Sequence, residues 1–284
     1  MLKLISTYAL LALSLLPSLA SALPAADDHA SHATTASDGN TWLATSIGPD
    51  CITGARYHGV MQGKNITIAD VPTYYAEPPV DAAEKKVIFF FSDVYGPFLD
   101  NNFMLQDWFA SQGFHVLGID YFFGDPIQNH PEPGFNITAW LAKSQRQAAE
   151  AVPKWKAAVI EEFGEDAKYA AVGYCFGASY AMEATEVVAS AFAHPAFLTE
   201  NHFRNVQSPL LLSLAETDST FSTAASRRAM DILMEERATY HLQQFSGVQH
   251  GFATRADPND ANAVWAKEES GRSVIGWFTR FMAQ

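Results

Sequence analysis

The fold is decided by the stretch VGYCFGA, residues 172–178, which follows an apolar run typical of a buried strand and opens a helical pattern. This order predicts a strand that ends in a sharp turn at Cys175, followed by a helix from Phe176. Gly173 and Gly177 leave room for the strained backbone that such a turn needs. A thiol exposed at the turn, beside the helix N–H groups, would have a lowered pKa. Because Gly-x-Cys-x-Gly also occurs by chance, a buried and inert Cys175 is the alternative.

The same kind of position recurs twice further along the chain. Asp218 comes just after an apolar run at residues 210–215, and His250 comes just after another at residues 240–245. Cys175, Asp218 and His250 follow the chain order of nucleophile, acid and histidine in α/β-hydrolases. We therefore expect all three at the carboxyl ends of parallel strands, where open α/β sheets place their ligands.

The remaining pattern predicts an α/β fold with a doubly wound, mostly parallel sheet. Residues 63–76 predict an opening antiparallel hairpin, and short apolar runs at 87–91 and 115–119 predict buried strands. Strands that alternate with helical patterns imply parallel pairing. The helical patterns lie at residues 98–112, 139–163 with an interruption at Pro153, 178–189, 223–237 and 261–282.

The first 41 residues differ from the rest in composition. A positive charge precedes an apolar run at residues 8–19, and Ala20-Ser21-Ala22 is a small-x-small cleavage site, so residues 1–22 are predicted to be a secretory signal peptide. A membrane anchor is the alternative, but the apolar run is shorter than the roughly 20 residues that a span needs. Residues 23–41 lack an apolar period and predict a mobile arm. Residues 42–284 then form one domain.

Secretion would bear on several other residues. The acceptor sequons at Asn65 and Asn136 make both residues candidates for glycosylation. The two cysteines, Cys51 and Cys175, would form the usual disulfide of a secreted protein unless Cys175 serves in catalysis. The formal net charge of −13 opposes binding to nucleic acid or to an anionic membrane surface. We expect neither partner, and no membrane attachment of the mature protein.

Taken together, the motifs resemble the dienelactone hydrolase family, a branch of the α/β-hydrolases with a Cys-His-Asp triad. The resemblance runs from about Gly54 to the C-terminus. It rests on GYCFG at residues 173–177, ETD at 216–218, HGFA at 250–253 and DVYG at 93–96. The aromatic-rich stretch DYFFGDP at residues 120–126 is also similar to fungal members, in agreement with a secreted product.

The resemblance implies a role for each residue of the triad. Cys175 is the nucleophile, His250 is its base, and Asp218 orients the imidazole, which are the roles that thiol catalysis needs. The backbone N–H groups of Phe176 and Val94 would hold the oxyanion. The resemblance implies neither a metal ion nor an organic cofactor.

Four residues are candidates for substrate contact: Asp93, Tyr95, Phe123 and Arg255. Asp93 stands where bacterial members of the family carry Glu. Arg255 lies one place later than the Arg that holds a substrate carboxylate in those members, and Phe123 stands near the place of their second Arg. Arg255 is therefore either a ligand anchor or a solvated side chain beside Asp257.

Two further features have both a functional and a structural reading. The loop at residues 120–136 holds three Pro and two Gly and is either a wall of the substrate pocket or a surface loop anchored by its aromatic residues. His194 follows another strand-like run and either lines the pocket or is a structural histidine.

These observations predict a secreted hydrolase that cleaves small carboxylic esters or lactones through an acyl-enzyme on Cys175. A thiol favours activated acyl groups, because a thioester must form. One alternative is a non-catalytic binding protein on the same fold, with Cys175 oxidised or paired to Cys51. The other is a secreted polysaccharide hydrolase, which needs two opposed carboxylates, such as Asp93 and Glu183, although no spacing supports that pair.

Overall fold

The structure is a computed structural model that describes residues 40–79 and 85–284. The predicted signal peptide, residues 1–22, lies outside the described residues, as do residues 23–39 of the predicted arm. Both assignments stay predictions. No helix within the described ranges is long and apolar enough to cross a membrane.

A central sheet of eight strands organises the part of the chain that the structure describes. The strands of this sheet and of a separate two-stranded pair are, in chain order, β1 (Trp42–Ala44), β2 (Lys64–Ile68), β3 (Val71–Ala76), β4 (Lys86–Phe91), β5 (His115–Ile119), β6 (Lys168–Cys175), β7 (Ala189–Pro195), β8 (Leu198–Thr199), β9 (Leu210–Thr217) and β10 (Tyr240–Gln249). The order across the sheet is β10-β9-β7-β6-β4-β5-β3-β2, whereas β1 and β8 form a separate antiparallel pair. All neighbours from β10 to β5 are parallel, and β3 and β2 form the predicted antiparallel hairpin.

Helices cover both faces of this sheet. In chain order they are α1 (Asp100–Ser111), α2 (Ile137–Phe163), α3 (Ala178–Met182), α4 (Glu200–Arg204), α5 (Thr223–Glu235), α6 (Phe252–Arg255) and α7 (Ala261–Met282). In β4, Phe90 packs on Phe109 of α1 with ring centroids 6.3 Å apart, and Phe89 packs on Trp155 of α2 at 5.6 Å. Because side chains alternate along a strand, these two contacts lie on opposite faces. The prediction of a doubly wound, mostly parallel sheet is confirmed.

Two helix predictions are wrong in detail. α2 continues through Pro153, where the sequence predicts an interruption. Pro153 removes one backbone hydrogen bond, but the neighbouring Val152 and Trp155 are buried in the core, and this packing holds the helix together. α3 ends at Met182 instead of reaching residue 189, where β7 already begins and pairs with β6.

The topology brings three predicted positions to one edge of the sheet. Cys175 is the last residue of β6, Asp218 follows β9 directly, and His250 follows β10 directly. β9 and β10 are parallel neighbours, with Thr217 opposite Gln249, so the next residue of each strand emerges beside the other. The expected placement at the carboxyl ends of parallel strands is confirmed.

Candidate active site

Cys175 occupies a strained turn at the end of β6. Its φ angle is 49°, in the left-handed region that residues with a side chain rarely adopt. A Cβ at Gly173 would collide with the backbone of Gly177, and a Cβ at Gly177 would collide with the carbonyl of Phe91. Both positions therefore require glycine, as expected for a nucleophile elbow.

His250 and Asp218 form a buried pair beside the elbow. The Nδ1 atom of His250 lies 3.0 Å from each carboxylate oxygen of Asp218. The backbone N–H groups of Thr220 and Phe221 donate to the same carboxylate at 2.8 and 3.1 Å, and the Thr220 hydroxyl lies 2.6 Å from it. These donors fix Asp218 in place, and Asp218 in turn orients the imidazole so that its Nε2 faces the cysteines.

The thiol that contacts this imidazole is that of Cys51, and no hydrogen bond within the described residues joins His250 to Cys175. Cys51 lies in a single 3-10 turn, Pro49–Ile52, and its Sγ is 3.2 Å from Nε2 of His250. The Sγ atoms of Cys51 and Cys175 and a ring nitrogen of His250 all lie within 4.8 Å of one another. Both cysteines are buried free thiols, so the structure does not contain the disulfide considered from the sequence. The sequence analysis missed the contact of Cys51 with His250, for which residue type was the only signal.

The contact changes the ionisation of both thiols. The hydrogen bond from Cys175, and then the contact with His250, outweigh burial and lower the pKa of Cys51 to about 5. Burial, reinforced by Cys51, raises the pKa of Cys175 well above its usual range. Burial opposes the charged form of His250, but the bonds to Asp218 and Cys51 raise its pKa to about 9. The expectation of an exposed Cys175 with a lowered pKa is wrong, and the favoured charged pair is the Cys51 thiolate and the His250 imidazolium.

Arg255 is buried instead of solvated. Its Nη1 contacts Oδ2 of Asp93, and the two side chains are 2% and 1% exposed. Its Nε donates to the carbonyl of Thr53 at 2.9 Å, and its guanidinium carbon lies 4.9 Å from the centre of the Tyr95 ring. The reading of Arg255 as a solvated neighbour of Asp257 is therefore wrong. Arg255 joins the segment around Thr53 to the loop after β4.

The carboxylate of Asp93 also makes its hydrogen bonds to other residues of the protein. Besides Arg255, its carboxylate accepts from Thr254 Oγ1 at 3.1 Å, from Asn102 Nδ2 at 2.9 Å and from the Tyr95 N–H at 3.1 Å. No hydrogen bond within the described residues joins it to the Cys175 thiol. The Asp93 carboxylate therefore has little capacity left for a ligand, whereas Nη2 of Arg255 is buried and has no hydrogen-bond partner within the described residues.

The predicted oxyanion donors lie where the loops after β4 and β6 begin. Val94 and Phe176 are 0% and 1% exposed. Within the described ranges, neither backbone N–H donates to another residue. Buried N–H groups without a partner are rare, and two of them on these loops are available to an oxyanion.

The loop at residues 120–136 packs beside the elbow, but not through the predicted side chain. Phe123 is 43% exposed, whereas Phe122 packs on Phe176 with ring centroids 5.2 Å apart. The loop lines a cavity of about 410 Å³ together with Tyr95 and Arg56. Of the four predicted substrate contacts, Tyr95 therefore faces an open cavity, and Phe123 lies at the surface.

His194 packs against the imidazole of His250. It is fully buried, and its ring centroid lies 5.0 Å from that of His250. Burial, and then the neighbouring charge of His250, hold the pKa of His194 well below its usual range. The ring is buried and packed like that of a structural histidine, but neither of its nitrogens has a hydrogen-bond partner within the described residues, so it is not a satisfied one.

Solved structures share the overall fold. The chain superposes on a putative dienelactone hydrolase from Klebsiella pneumoniae with a TM-score of 0.65 and 12% identity, covering 78% of this chain and 100% of the other. A dienelactone hydrolase-like promiscuous phosphotriesterase from metagenomic libraries gives a TM-score of 0.58 and 16% identity over 78% and 99%. At these identities the likeness shows the fold alone, which is that of the α/β-hydrolases.

Sequence relatives extend the likeness beyond the fold. Dienlactone hydrolase 1 of Gibberella moniliformis is 32% identical over 82% of this chain and 94% of its own length. The hydrolase pyvD of Aspergillus violaceofuscus is 30% identical over 84% and 99%. The sequence model of the dienelactone hydrolase family matches residues 71–282, which include the whole triad. The chain belongs to the dienelactone hydrolase family.

Proposed function

We propose that this chain is a secreted hydrolase that cleaves carboxylic esters or lactones through an acyl-enzyme on Cys175. The general class, a hydrolase of esters or lactones, follows from the family. One observation carries the mechanism: Cys175 stands at the strained elbow within 4.8 Å of a ring nitrogen of His250, and Asp218 holds the opposite side of that imidazole. These positions suit a nucleophile, a base and an orienting acid.

The first step frees the base. The lowered pKa of Cys51 and the raised pKa of His250 favour a resting state in which Cys51 carries the negative charge and His250 the positive charge. When the turn Pro49–Ile52 moves away, the Cys51 thiolate takes the proton from Nε2 and leaves His250 neutral. Nε2 then accepts the thiol proton of Cys175, which becomes the nucleophile.

The acyl transfer follows from the geometry of the elbow. The Cys175 thiolate bonds to the carbonyl carbon, and the electron pair of the C=O bond moves to the oxygen, where the N–H groups of Phe176 and Val94 hold it. Collapse breaks the ester C–O bond, and the leaving oxygen takes the proton from His250. Water that gives a proton to His250 then attacks the thioester and releases the acid and the Cys175 thiol.

Access to this site requires movement. Cys51 and Cys175 are 0% exposed and His250 is 2% exposed. A cavity of about 540 Å³ opens beside His250 and is lined by Gly54 and Arg255. We therefore propose that the segment around Pro49–Ile52 shifts toward solvent when substrate enters from this cavity.

The substrate class is a small, activated and neutral ester or lactone. A thiol nucleophile favours a competent leaving group, such as an enol or aryl oxygen. Asp93 already neutralises the charge of Arg255, so a substrate carboxylate could gain one hydrogen bond from the unpartnered Nη2 but little net charge attraction. We therefore expect neutral lactones to be better substrates than carboxylate-bearing ones of equal size.

Secretion and glycosylation belong to the same proposal. Asn65 and Asn136 are both exposed, as glycan acceptors must be. Expression of the full chain in a fungal secretory host should give a protein in the medium that begins near residue 23 and loses mass with an endoglycosidase. A protein retained in the cells with Met1 intact would contradict this part.

The hydrolase proposal is tested with the purified, reduced protein. An aryl ester, a neutral lactone and a carboxylate-bearing lactone of the same size are compared, each with wild type and Cys175→Ala. Hydrolysis of the first two by wild type alone supports the proposal. Equal rates for wild type and Cys175→Ala, or no hydrolysis of any of the three, would refute it.

A further inference from the structure

We propose that Cys51, Cys175 and His250 form a binding site for a soft divalent metal ion such as Zn²⁺, which reversibly inhibits the enzyme. Metal binding rests on geometry that is independent of any reaction. Only the inhibition rests on the proposed function, because the ion would occupy the nucleophile and the base.

The three donor atoms suit such an ion in type and spacing. Thiolates and imidazole are the preferred ligands of Zn²⁺ and Cd²⁺. With Zn–S and Zn–N bonds of about 2.3 and 2.0 Å, the ligand atoms of a tetrahedral site lie roughly 3.5–3.8 Å apart. The three atoms here lie within 4.8 Å of one another, and Cys51 Sγ is 3.2 Å from His250 Nε2. Side-chain shifts of about half an ångström reach the required geometry.

The imidazole is already oriented as a metal ligand. Metal-binding histidines usually donate their second ring N–H to a carboxylate, which points the other nitrogen at the ion. Asp218 makes this contact with Nδ1 at 3.0 Å and is itself held by Thr220 and Phe221. Nε2, the remaining nitrogen, faces both thiols.

The charges of the buried site also allow binding. Two thiolates and a neutral imidazole cancel the charge of a divalent ion, and the nearby Arg255 is already matched by Asp93. Binding requires both thiols and Nε2 of His250 to be deprotonated, so it releases to the solvent the protons that they carry. Three protein ligands leave a fourth position for water. The cavity of about 540 Å³ beside His250 is the entry path.

Cys51 distinguishes this site from a simple thiol–imidazole pair. Its Sγ supplies a third ligand on a separate segment, Pro49–Ile52, so an ion would also tie that turn to the elbow. Binding would hold the site in its closed state, and removal by a chelator would release both catalytic groups at once.

The test is a titration of the reduced, full-length protein with Cd²⁺, followed by the ultraviolet charge-transfer absorption of Cd–thiolate bonds. The chain contains only two cysteines, so His29, His32 and surface carboxylates cannot contribute to this signal. The matched variants are Cys51→Ser and Cys175→Ser, which keep the size of each side chain and remove one thiolate. Circular dichroism of each variant checks the fold.

For wild type we expect saturation at one ion per chain, an absorbance change near twice that of either variant, and competition by Zn²⁺. Each variant should bind at least about 100-fold more weakly, because even an outer-shell partner is worth 10–100-fold in affinity. The same affinity and signal in wild type and Cys51→Ser, or no thiolate signal in wild type, would overturn the site.

Hydrolysis is measured in parallel so that the two proposals fail separately. Metal binding without any hydrolysis of esters would leave the site standing and reject the proposed reaction. Hydrolysis that continues unchanged with the site saturated would reject the inhibition. Hydrolysis that falls with saturation and returns with chelator supports it.

Discussion

The Nε2 atom of His250 contacts the Sγ of Cys51 at 3.2 Å, although Cys175 occupies the nucleophile elbow. His250 is thus engaged by the thiol of Cys51, whereas Cys175 is followed by the N–H of Phe176, which has no hydrogen-bond partner within the described residues. Two thiols whose pKa values shift in opposite directions lie close to one imidazole, and substitution can separate their roles.

Exchange of each cysteine for Ala should have opposite outcomes. Cys175→Ala should lower kcat by about four to six decades, because the covalent bond is lost. Cys51→Ala should keep most of the activity, because His250 then faces Cys175 without a competitor. Steady-state kinetics on an aryl ester measures both. If Cys51→Ala lost its activity and Cys175→Ala kept it, the nucleophile would be Cys51.

The two partners of the nucleophile should differ in importance. His250→Ala removes the base and should cost about as much as Cys175→Ala, whereas Asp218→Asn should leave more activity, since Asp218 only orients the imidazole and stabilises its charge. The measurement is kcat for both variants at equal folded concentration. An unchanged kcat in Asp218→Asn would show that another group orients His250.

The resting thiolate should be visible in a pH titration. The pKa of Cys51 is lowered to about 5, so thiolate absorbance in the ultraviolet should rise as the pH increases through about 5 in wild type. The step should persist in Cys175→Ser, whose hydroxyl still donates a hydrogen bond, and vanish in Cys51→Ser. A single step near the ordinary thiol range in all three proteins would exclude the resting ion pair.

The free energy of unfolding should depend on pH through the same pair of Cys51 and His250. The lowered pKa of Cys51 adds stability that rises from about pH 5 toward the unfolded value of 9.0. The raised pKa of His250 adds stability that is complete below 6.5 and is lost as the pH rises through about 9. Above pH 6.5 the gain from Cys51 and the loss from His250 change at equal and opposite rates. The contribution of the pair to the free energy of unfolding should therefore rise from about pH 5 to 6.5 and then stay level. Urea unfolding across this range measures it, and a contribution that falls from pH 5 to 6.5 would contradict the assignment.

Removal of Arg255 should affect stability more than substrate choice. Arg255→Met leaves the buried Asp93 without its cation and should lower the free energy of unfolding by about 3–5 kcal/mol. A second substitution, Asp93→Asn, should restore part of that loss. KM should change by the same factor for an acidic and a neutral lactone. A rise in KM for the acidic lactone alone would show that Arg255 holds a substrate carboxylate.

The sequence predicted the elements that depend on local pattern. The strands β4, β5, β6, β9 and β10 follow from short apolar runs, and the topology of a parallel sheet then brings Cys175, Asp218 and His250 together. The glycines around Cys175 signal the turn because only glycine fits there.

The parts that the sequence did not predict depend on contacts between distant loops. Cys51 and His250 are 199 residues apart, and Arg255 and Asp93 are 162 apart. Cys51 lies in one 3-10 turn, which has no apolar period to place it in the fold. Since its packing over the elbow buries both thiols, neither the closed site nor the raised pKa of Cys175 could be predicted locally.

The most direct test of the central claim is mass spectrometry of the acyl-enzyme. Wild type is mixed with an aryl ester, quenched in acid during turnover and digested. We predict one acyl group per chain on the peptide that contains Cys175, and its absence in Cys175→Ala. An acyl group on the peptide that contains Cys51, or turnover with no acylated peptide, would contradict the proposed mechanism.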